Sequence, residues 1–218
     1  MELIGIYGAG GFAREVDWLV SELEGVMDPR GPRVVAYIDD TAAAEQSLNG
    51  KPVLSLERFI AKYPEALISI AIGNSQARAD VARRCKAAGR DFVTLIAADV
   101  HYSRTVAFGD GCVICAGVAL TVHVVLGAHV HVNLNCTIGH DAILEDYVTL
   151  APGVHVSGNV HIKRGAYIGT GAAIINGTSE HPLIIGENAV VGANACVTGD
   201  VEPACLYAGV PAVLKKHY

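Results

Sequence analysis

Residues 106–174, written in sixes, read VAFGDG CVICAG VALTVH VVLGAH VHVNLN CTIGHD AILEDY VTLAPG VHVSGN VHIKRG AYIGTG AAI. The third place is always large and apolar: Phe108, Ile114, Leu120, Leu126, Val132, Ile138, Leu144, Leu150, Val156, Ile162, Ile168 and Ile174. The first place is small or β-branched, running Val106, Cys112, Val118, Val124, Val130, Cys136, Ala142, Val148, Val154, Val160, Ala166 and Ala172. A strand of period two would not leave the other places free, and a helix cannot hold period six. Such a repeat marks a parallel β-helix. Each unit runs apolar, any, apolar along a short strand and then turns a three-residue corner, so both sets point inward.

Three sixes make one triangular coil, which stacks residues eighteen apart at about 4.8 Å. His140 and Asp141 then share a corner. Gly158 lies one coil above His140, Asn159 lies above Asp141, and His123 lies below Asp141. A corner imidazole beside a carboxylate suits a general base, because it titrates near neutrality and the acid orients it. A glycine above it offers an open backbone N–H for a developing oxyanion. His140 is the first candidate and His123 its rival. Other histidines, His155 and His161 among them, fall at outward strand places.

The net charge of −6 argues against nucleic acid as a partner and requires that any anionic ligand be held by local groups. From Gly111 to His140 there is no Asp, Glu, Lys or Arg, a length that could span a bilayer. Yet the six-residue phase runs through it unbroken, with His123, His129, His131, Asn133 and Asn135 on board. A covered outer face explains it better than a membrane helix, and the natural cover is another copy about a threefold axis. Met1 leads straight into an apolar strand with no leader, so the expected location is cytoplasmic. Cys112, Cys136 and Cys196 sit in or beside small inward places and read as buried thiols. Cys112-x-x-Cys115 lacks a second pair, and no His-x-x-x-x-His pair occurs, so no metal is expected.

Ahead of the repeat, strands are expected at Leu3–Tyr7, Val34–Ile38, Leu67–Ile72 and near Phe92–Leu95. Helices are expected from about Arg14 to Leu23, at Ser55–Lys62 and at Ser75–Ala88. Alternation of this kind indicates a small parallel α/β sheet of Rossmann-like type. The turn Gly8-x-Gly10-x-x-Ala13 stands where such folds place phosphate. No acidic residue follows at the usual distance; Asp39-Asp40 comes after a Pro/Gly-rich loop, and the sheet stops near Ile96. A mononucleotide or nucleotide-sugar therefore fits better than NAD, with a structural cap as the plainer alternative. The units are 1–97 and 98–218. After Ile174 the phase slips by one at Asn176–Pro182, a loop leaving a corner. The segment Tyr207–Ala212 is expected to close the far end, with Lys215 and Lys216 either meeting a phosphate or, more simply, standing as solvated tail charge.

The chain resembles the bacterial hexapeptide-repeat acyltransferases that acetylate nucleotide-linked amino sugars, with the related sialic acid O-acetyltransferases. The likeness rests on Ile6–Gly11, Tyr37–Asp40 and Ala71–Asn74, then on Asn133-x6-His140-Asp141, Ala151–Gly153, Ser157–Val160 and Gly209–Ala212. It implies a left-handed β-helix, a homotrimer, and acetyl-CoA lying between neighbouring copies. It implies that the first unit holds the nucleotide of an amino sugar such as a 4-amino-4,6-dideoxyhexose. Gly8, Gly10 and Gly11 would then stand near phosphate and Asp39, Asp40, Gly73 and Asn74 near base and ribose, with Arg14 also in the substrate site. It matches the base to His140, its acid to Asp141, a sugar contact to Asn133 and an oxyanion donor to Gly158. The pantetheine contacts match Gly158, Thr170 and Ala193. Two departures stand out: Thr149 where some relatives have a second His, and Asp141 where many have Glu. Direct attack of the sugar amine on acetyl-CoA is expected, with O-acetylation of a free sugar acid or non-catalytic binding as alternatives.

Overall fold

In a computed structural model the chain forms two compact units, one up to Ala98 and one at Asp99–Tyr218. Residues 2–26, 31–41 and 46–218 are described; part of the Pro/Gly-rich loop, 27–30, lies outside them.

The first unit runs β1 (Leu3–Tyr7), α1 (Gly11–Val26), β2 (Arg33–Ile38), β3 (Ser47–Leu48), β4 (Lys51–Leu54), α2 (Leu56–Lys62), β5 (Leu67–Ile70) and α3 (Ser75–Ala87). Strand order is β3-β4-β2-β1-β5, all parallel but for the β3–β4 pair. That pair is an unforeseen hairpin. Its two-residue loop is Asn49-Gly50, both at positive φ (49° and 73°), the chemistry such turns demand. Helix α1 starts at Gly11, ahead of the expected Arg14. The expected strand at Phe92–Leu95 is split into a single bridge from Phe92 to Ile68 and a short strand at Leu95–Ile96. Gly5 makes room in the core: a Cβ there would lie 2.4 Å from the buried Phe59 ring and 2.9 Å from Ile38.

The second unit is a three-sided parallel β-helix. One face stacks Ala119–Leu120, Thr137–Ile138, His155–Val156 and Ala173–Ile174. The second stacks Val125–Leu126, Ile143–Leu144 and Val160–Ile162, and the third stacks Val113–Ile114, His131–Val132, Thr149–Leu150 and Tyr167–Ile168. Partners are eighteen apart, as the stacking rule requires, and from Cys112 to Ile174 every first-place and third-place side chain is buried. Beyond Ile174 the separation rises to twenty-three, as for Tyr167 and Val190, so the excursion at 176–182 adds five residues. A strand at Cys205–Ala208, paired antiparallel with Val213–His217, ends the third face.

A third set of period six appears in the backbone. The sixth place, Gly111, Gly117, His123, His129, Asn135, Asp141, Tyr147, Gly153, Asn159, Gly165 and Gly171, is left-handed at every corner. Glycine takes that conformation freely and Asn or Asp at little cost, which accounts for most of the set. His123, His129 and Tyr147 are held there against their preference, and the His129 and Tyr147 rings stack at 5.3 Å with Arg164 over the tyrosine. The apolar stretch 111–140 is wound into these coils; no helix among the described residues is long and apolar enough to cross a membrane.

Candidate active site

The edge between the first and second faces carries the candidate base. The His140 Nδ1 lies 2.8 Å from Asp141 Oδ2. With the carboxylate ionised it only accepts, so Nδ1–H donates, and in the neutral ring Nε2 keeps its lone pair. Asp141 can reach back because its backbone is left-handed, at φ 58°. Its N–H is tied to Val122 O one coil below, and His140 O accepts from Asn159 N one coil above. The imidazole lies against Gly158: a Cβ there would fall 2.4–2.8 Å from Nε2, Cε1 and Cδ2. Among the described residues nothing accepts the Gly158 N–H.

That open N–H belongs to the corner design. Among the described residues the N–H at the fifth place of a six finds no backbone partner, and at two other corners carboxylates have taken the vacant donor. Ala128 N donates to Asp146 Oδ1 at 2.8 Å, and Arg164 N to Glu145 Oε2 at 3.0 Å. Gly158 therefore presents the kind of N–H that binds anionic oxygen elsewhere in this molecule.

The rival base has no such support. His123 N–H reaches Thr105 Oγ1, and among the described residues no carboxylate hydrogen-bonds its ring. A second His–carboxylate pair, His161 with Glu145 at 2.8 Å, was not foreseen. Lys163 and the Arg164 N–H share the same carboxylate. Burial pushes Glu145 up, but these partners outweigh it and hold the group below its ordinary range. This cluster is saturated and structural. Burial likewise drives the Cys112 and Cys136 thiols up to about 11, whereas Cys196, expected to be buried, is half-exposed.

Asn133, Thr170 and Ala193 lie on a different edge, between the third and first faces. Asn133 Nδ2 is anchored to Leu150 O at 2.7 Å. Thr170 and Ala193 are exposed on successive coils, where Asn194 N bonds Thr170 O. The matched residues thus fall on two edges of the prism, one side of a coil apart.

In the first unit the nucleotide candidates line the carboxyl ends of β1, β2 and β5, the usual crevice of an open α/β sheet. Gly8 has φ 119°, and a Cβ there would lie 2.9 Å from Ala71 O, so the β1 and β5 loops meet only because it is glycine. Gly10 and Gly73 face open space, and Gly11 has only Arg14 Nη2, at 4.0 Å from its Cβ position. The first turn of α1 holds no acidic residue. Asn74 caps α3 through its side chain, accepting from Ala77 N at 2.9 Å, and Asp39 Oδ1 accepts from the N–H and hydroxyl of Thr41.

Asp40, another of the nucleotide candidates, is already engaged by the protein. Its Oδ1 accepts from Leu56 N at 2.8 Å, and its Oδ2 from the Tyr7 hydroxyl and Arg84. Burial raises its carboxyl, yet these donors win and hold it below the ordinary range. Burial, then Asp40, pushes Tyr7 far above the usual phenol range. The carboxylate is a hub joining β1, α2 and α3, engaged by the protein itself. Arg78, wholly buried under the β5 loop, escaped the sequence reading altogether.

Comparison with known proteins finds relatives that match both units. A family model described as the PglD N-terminal domain matches residues 3–85, and one described as the hexapeptide repeat of succinyl-transferase matches 105–122 and 182–199. GDP-perosamine N-acetyltransferase of Escherichia coli O157:H7 is 33% identical over 188 residues, 85% of this chain and 84% of that protein. WeeI from Acinetobacter baumannii AYE is a structural neighbour at TM-score 0.90 and 36% identity, covering 99% of this chain and 100% of its own. PerB from Caulobacter crescentus, solved in complex with CoA and GDP-perosamine, matches at TM-score 0.85 and 27% identity over 98% and 97% of the two chains.

Proposed function

The chain belongs to the family of hexapeptide-repeat amino-sugar N-acetyltransferases that carry a PglD-type N-terminal domain, and from that premise we propose how it works. It is an acetyl-CoA-dependent N-acetyltransferase with a Rossmann-like unit ahead of a left-handed β-helix. The acceptor in this reading is the amine of a nucleotide-linked 4-amino-4,6-dideoxyhexose. The amine attacks the thioester carbonyl directly, and His140 Nε2 takes its proton as the C–N bond forms. Asp141 holds Nδ1–H and stabilises the imidazolium. The Gly158 N–H receives the tetrahedral oxyanion. As the C–S bond breaks, the imidazolium returns the proton to the departing CoA sulfur. No acyl-enzyme is required.

The observation that carries this is the imidazole itself, oriented by Asp141 with its free Nε2 laid against Gly158. The test follows CoA release across UDP-, dTDP- and GDP-linked amino sugars, with free sialic acid as the O-acetylation arm. His140→Ala should slow turnover by at least ~10²-fold. Near-normal turnover in that variant would remove His140 from the chemistry.

The same reading makes the working unit a homotrimer. Asn133, Thr170 and Ala193 cannot reach the His140 corner of their own chain across a side of the prism, whereas a neighbour about a threefold axis can supply them. Val122, Val125 and Ile143 are exposed apolar groups beside that corner, suited to being covered by such a neighbour. An active species sedimenting as a monomer would refute this. The reading also keeps the expected cytoplasmic location, where acetyl-CoA and nucleotide sugars are both at hand.

A further inference from the structure

We propose that Arg78 is a positioning residue for the nucleotide subsite: it turns two peptide groups of the β5 loop so that the N–H groups of Gly73 and Asn74 face the ligand. The inference rests on the reading of the first unit as the nucleotide-binding one, and it adds a residue that reading does not contain.

Arg78 lies in the first turns of α3 and is fully buried. A guanidinium stays charged and must be hydrogen-bonded if taken out of water. Its Nη1 donates to Ile72 O at 2.7 Å and to Gly73 O at 3.2 Å. A trans peptide is planar, with C=O and N–H on opposite sides. Drawing the carbonyls of Ile72 and Gly73 inward therefore swings the next two N–H groups, those of Gly73 and Asn74, the other way.

Three observations indicate that this edge awaits a ligand. Gly73 and Asn74 are exposed, and nothing lies within 4 Å of the Gly73 Cβ position. Among the described residues neither N–H has an acceptor, although the neighbouring Ala77 N–H is satisfied by the Asn74 side chain. The edge also adjoins the Gly8 turn, since Gly8 packs on Ala71 O. Two such N–H groups with a fixed positive charge beneath them suit an acceptor oxygen of the nucleotide, whether a base carbonyl or a phosphate oxygen. Without the arginine the carbonyl dipoles are free to turn outward and repel it.

Calorimetric titration of the full chain with UDP, GDP, uridine and guanosine, together with steady-state kinetics, tests the proposal. Arg78→Lys and Arg78→Gln should weaken binding of nucleotide and raise the nucleotide-sugar KM by at least ~10-fold, the loss of one to two hydrogen bonds to a charged or strongly polar group. The acetyl-CoA KM and kcat should stay within about threefold. A parallel loss for nucleosides identifies the base carbonyl; a loss confined to diphosphates identifies phosphate. Should the arginine variants fail to fold, Gly73→Pro deletes one of the two N–H groups at an exposed site and should reproduce the binding loss. Unchanged nucleotide affinity in the folded variants, or equal losses in both substrates' KM, overturns the inference. A wild-type chain that binds no nucleotide overturns the underlying reading as well, and the two failures are distinct.

Discussion

Gly158→Ala separates the imidazole's place from the backbone donor above it. Alanine keeps the N–H proposed for the oxyanion, and position 158 is not in the left-handed region, so the backbone accepts a side chain. The methyl would lie 2.4 Å from Nε2, 2.5 Å from Cε1 and 2.8 Å from Cδ2 of His140. Non-bonded carbons settle near ~3.5 Å, so the ring must retreat by about 1 Å or swing out. Because the obstacle is an exposed side chain, the fold should tolerate the change, with Tm within about 3 °C of wild type. The catalytic cost is another matter. A displacement of that size, with the Asp141 hydrogen bond broken, should lower kcat by ~10²-fold, about 2.7 kcal/mol of barrier. CoA release under saturating substrates reads this directly. A double variant sharpens it: once His140 is Ala, adding Gly158→Ala should cost nothing further, since both remove one function. Full activity in the single variant, or additive losses in the double, would refute the account.

Asp141→Asn keeps the tolerance for left-handed backbone but lets an amide donate to Nδ1, which favours the tautomer with a proton on Nε2. Turnover should fall by ~10²-fold or more with Tm little changed, and equal rates would show that the carboxylate does not set the tautomer. Gly5→Ala drives a methyl to 2.4 Å from the buried Phe59 ring, which has nowhere to move, and should cost about 1–3 kcal/mol in denaturant titration. Asp40 bears on pH. Its folded carboxyl lies below the ordinary 3.8, so its stabilising effect is full above that value and fades as pH falls through the depressed one. Asp40→Asn should lower stability at neutral pH and flatten the acid limb below about pH 4. Acid titrations of the two proteins followed by circular dichroism should therefore diverge; parallel limbs would contradict the hub.

The parts of this molecule that were legible are those where one residue type answers one local demand. The two inward sets follow from burial alone, and the eighteen-residue stacking then put Gly158 over His140 without further information. The left-handed sixth place was equally local, but His123, His129 and Tyr147 interrupt the Gly/Asn/Asp pattern and hid it. Leu48-Asn49-Gly50-Lys51 carried a plain hairpin signal that the short flanking strands made easy to pass over. Arg78 and Asp40 were illegible for a different reason. Nothing near Arg78 in the sequence says that a charged side chain will be buried under a loop, and Asp40 acquires its partners from Tyr7 and Arg84, which only tertiary packing brings together.

The repeat also accounts for the placing of the proposed base at this corner and for the Asp beside it. First and third places are committed to the interior, and the sixth must be left-handed, so only the outward places and the corner can carry function. A side chain at the fifth place projects beside the vacant N–H of the coil above. The sixth, because it is left-handed, turns its own side chain back toward the fifth. In the sixes from 106 to 171 only His140-Asp141 joins an imidazole at the fifth place to a carboxylate at the sixth. The short acid is the one that suits left-handed backbone and needs no reach, since Oδ2 already stands 2.8 Å from Nδ1. Glutamate at 141 would combine a less tolerant backbone with a longer side chain. Asp141→Glu should thus lose both stability, by about 1 kcal/mol, and rate, and a fully active, fully stable Asp141→Glu would show that the left-handed seat does not choose the acid.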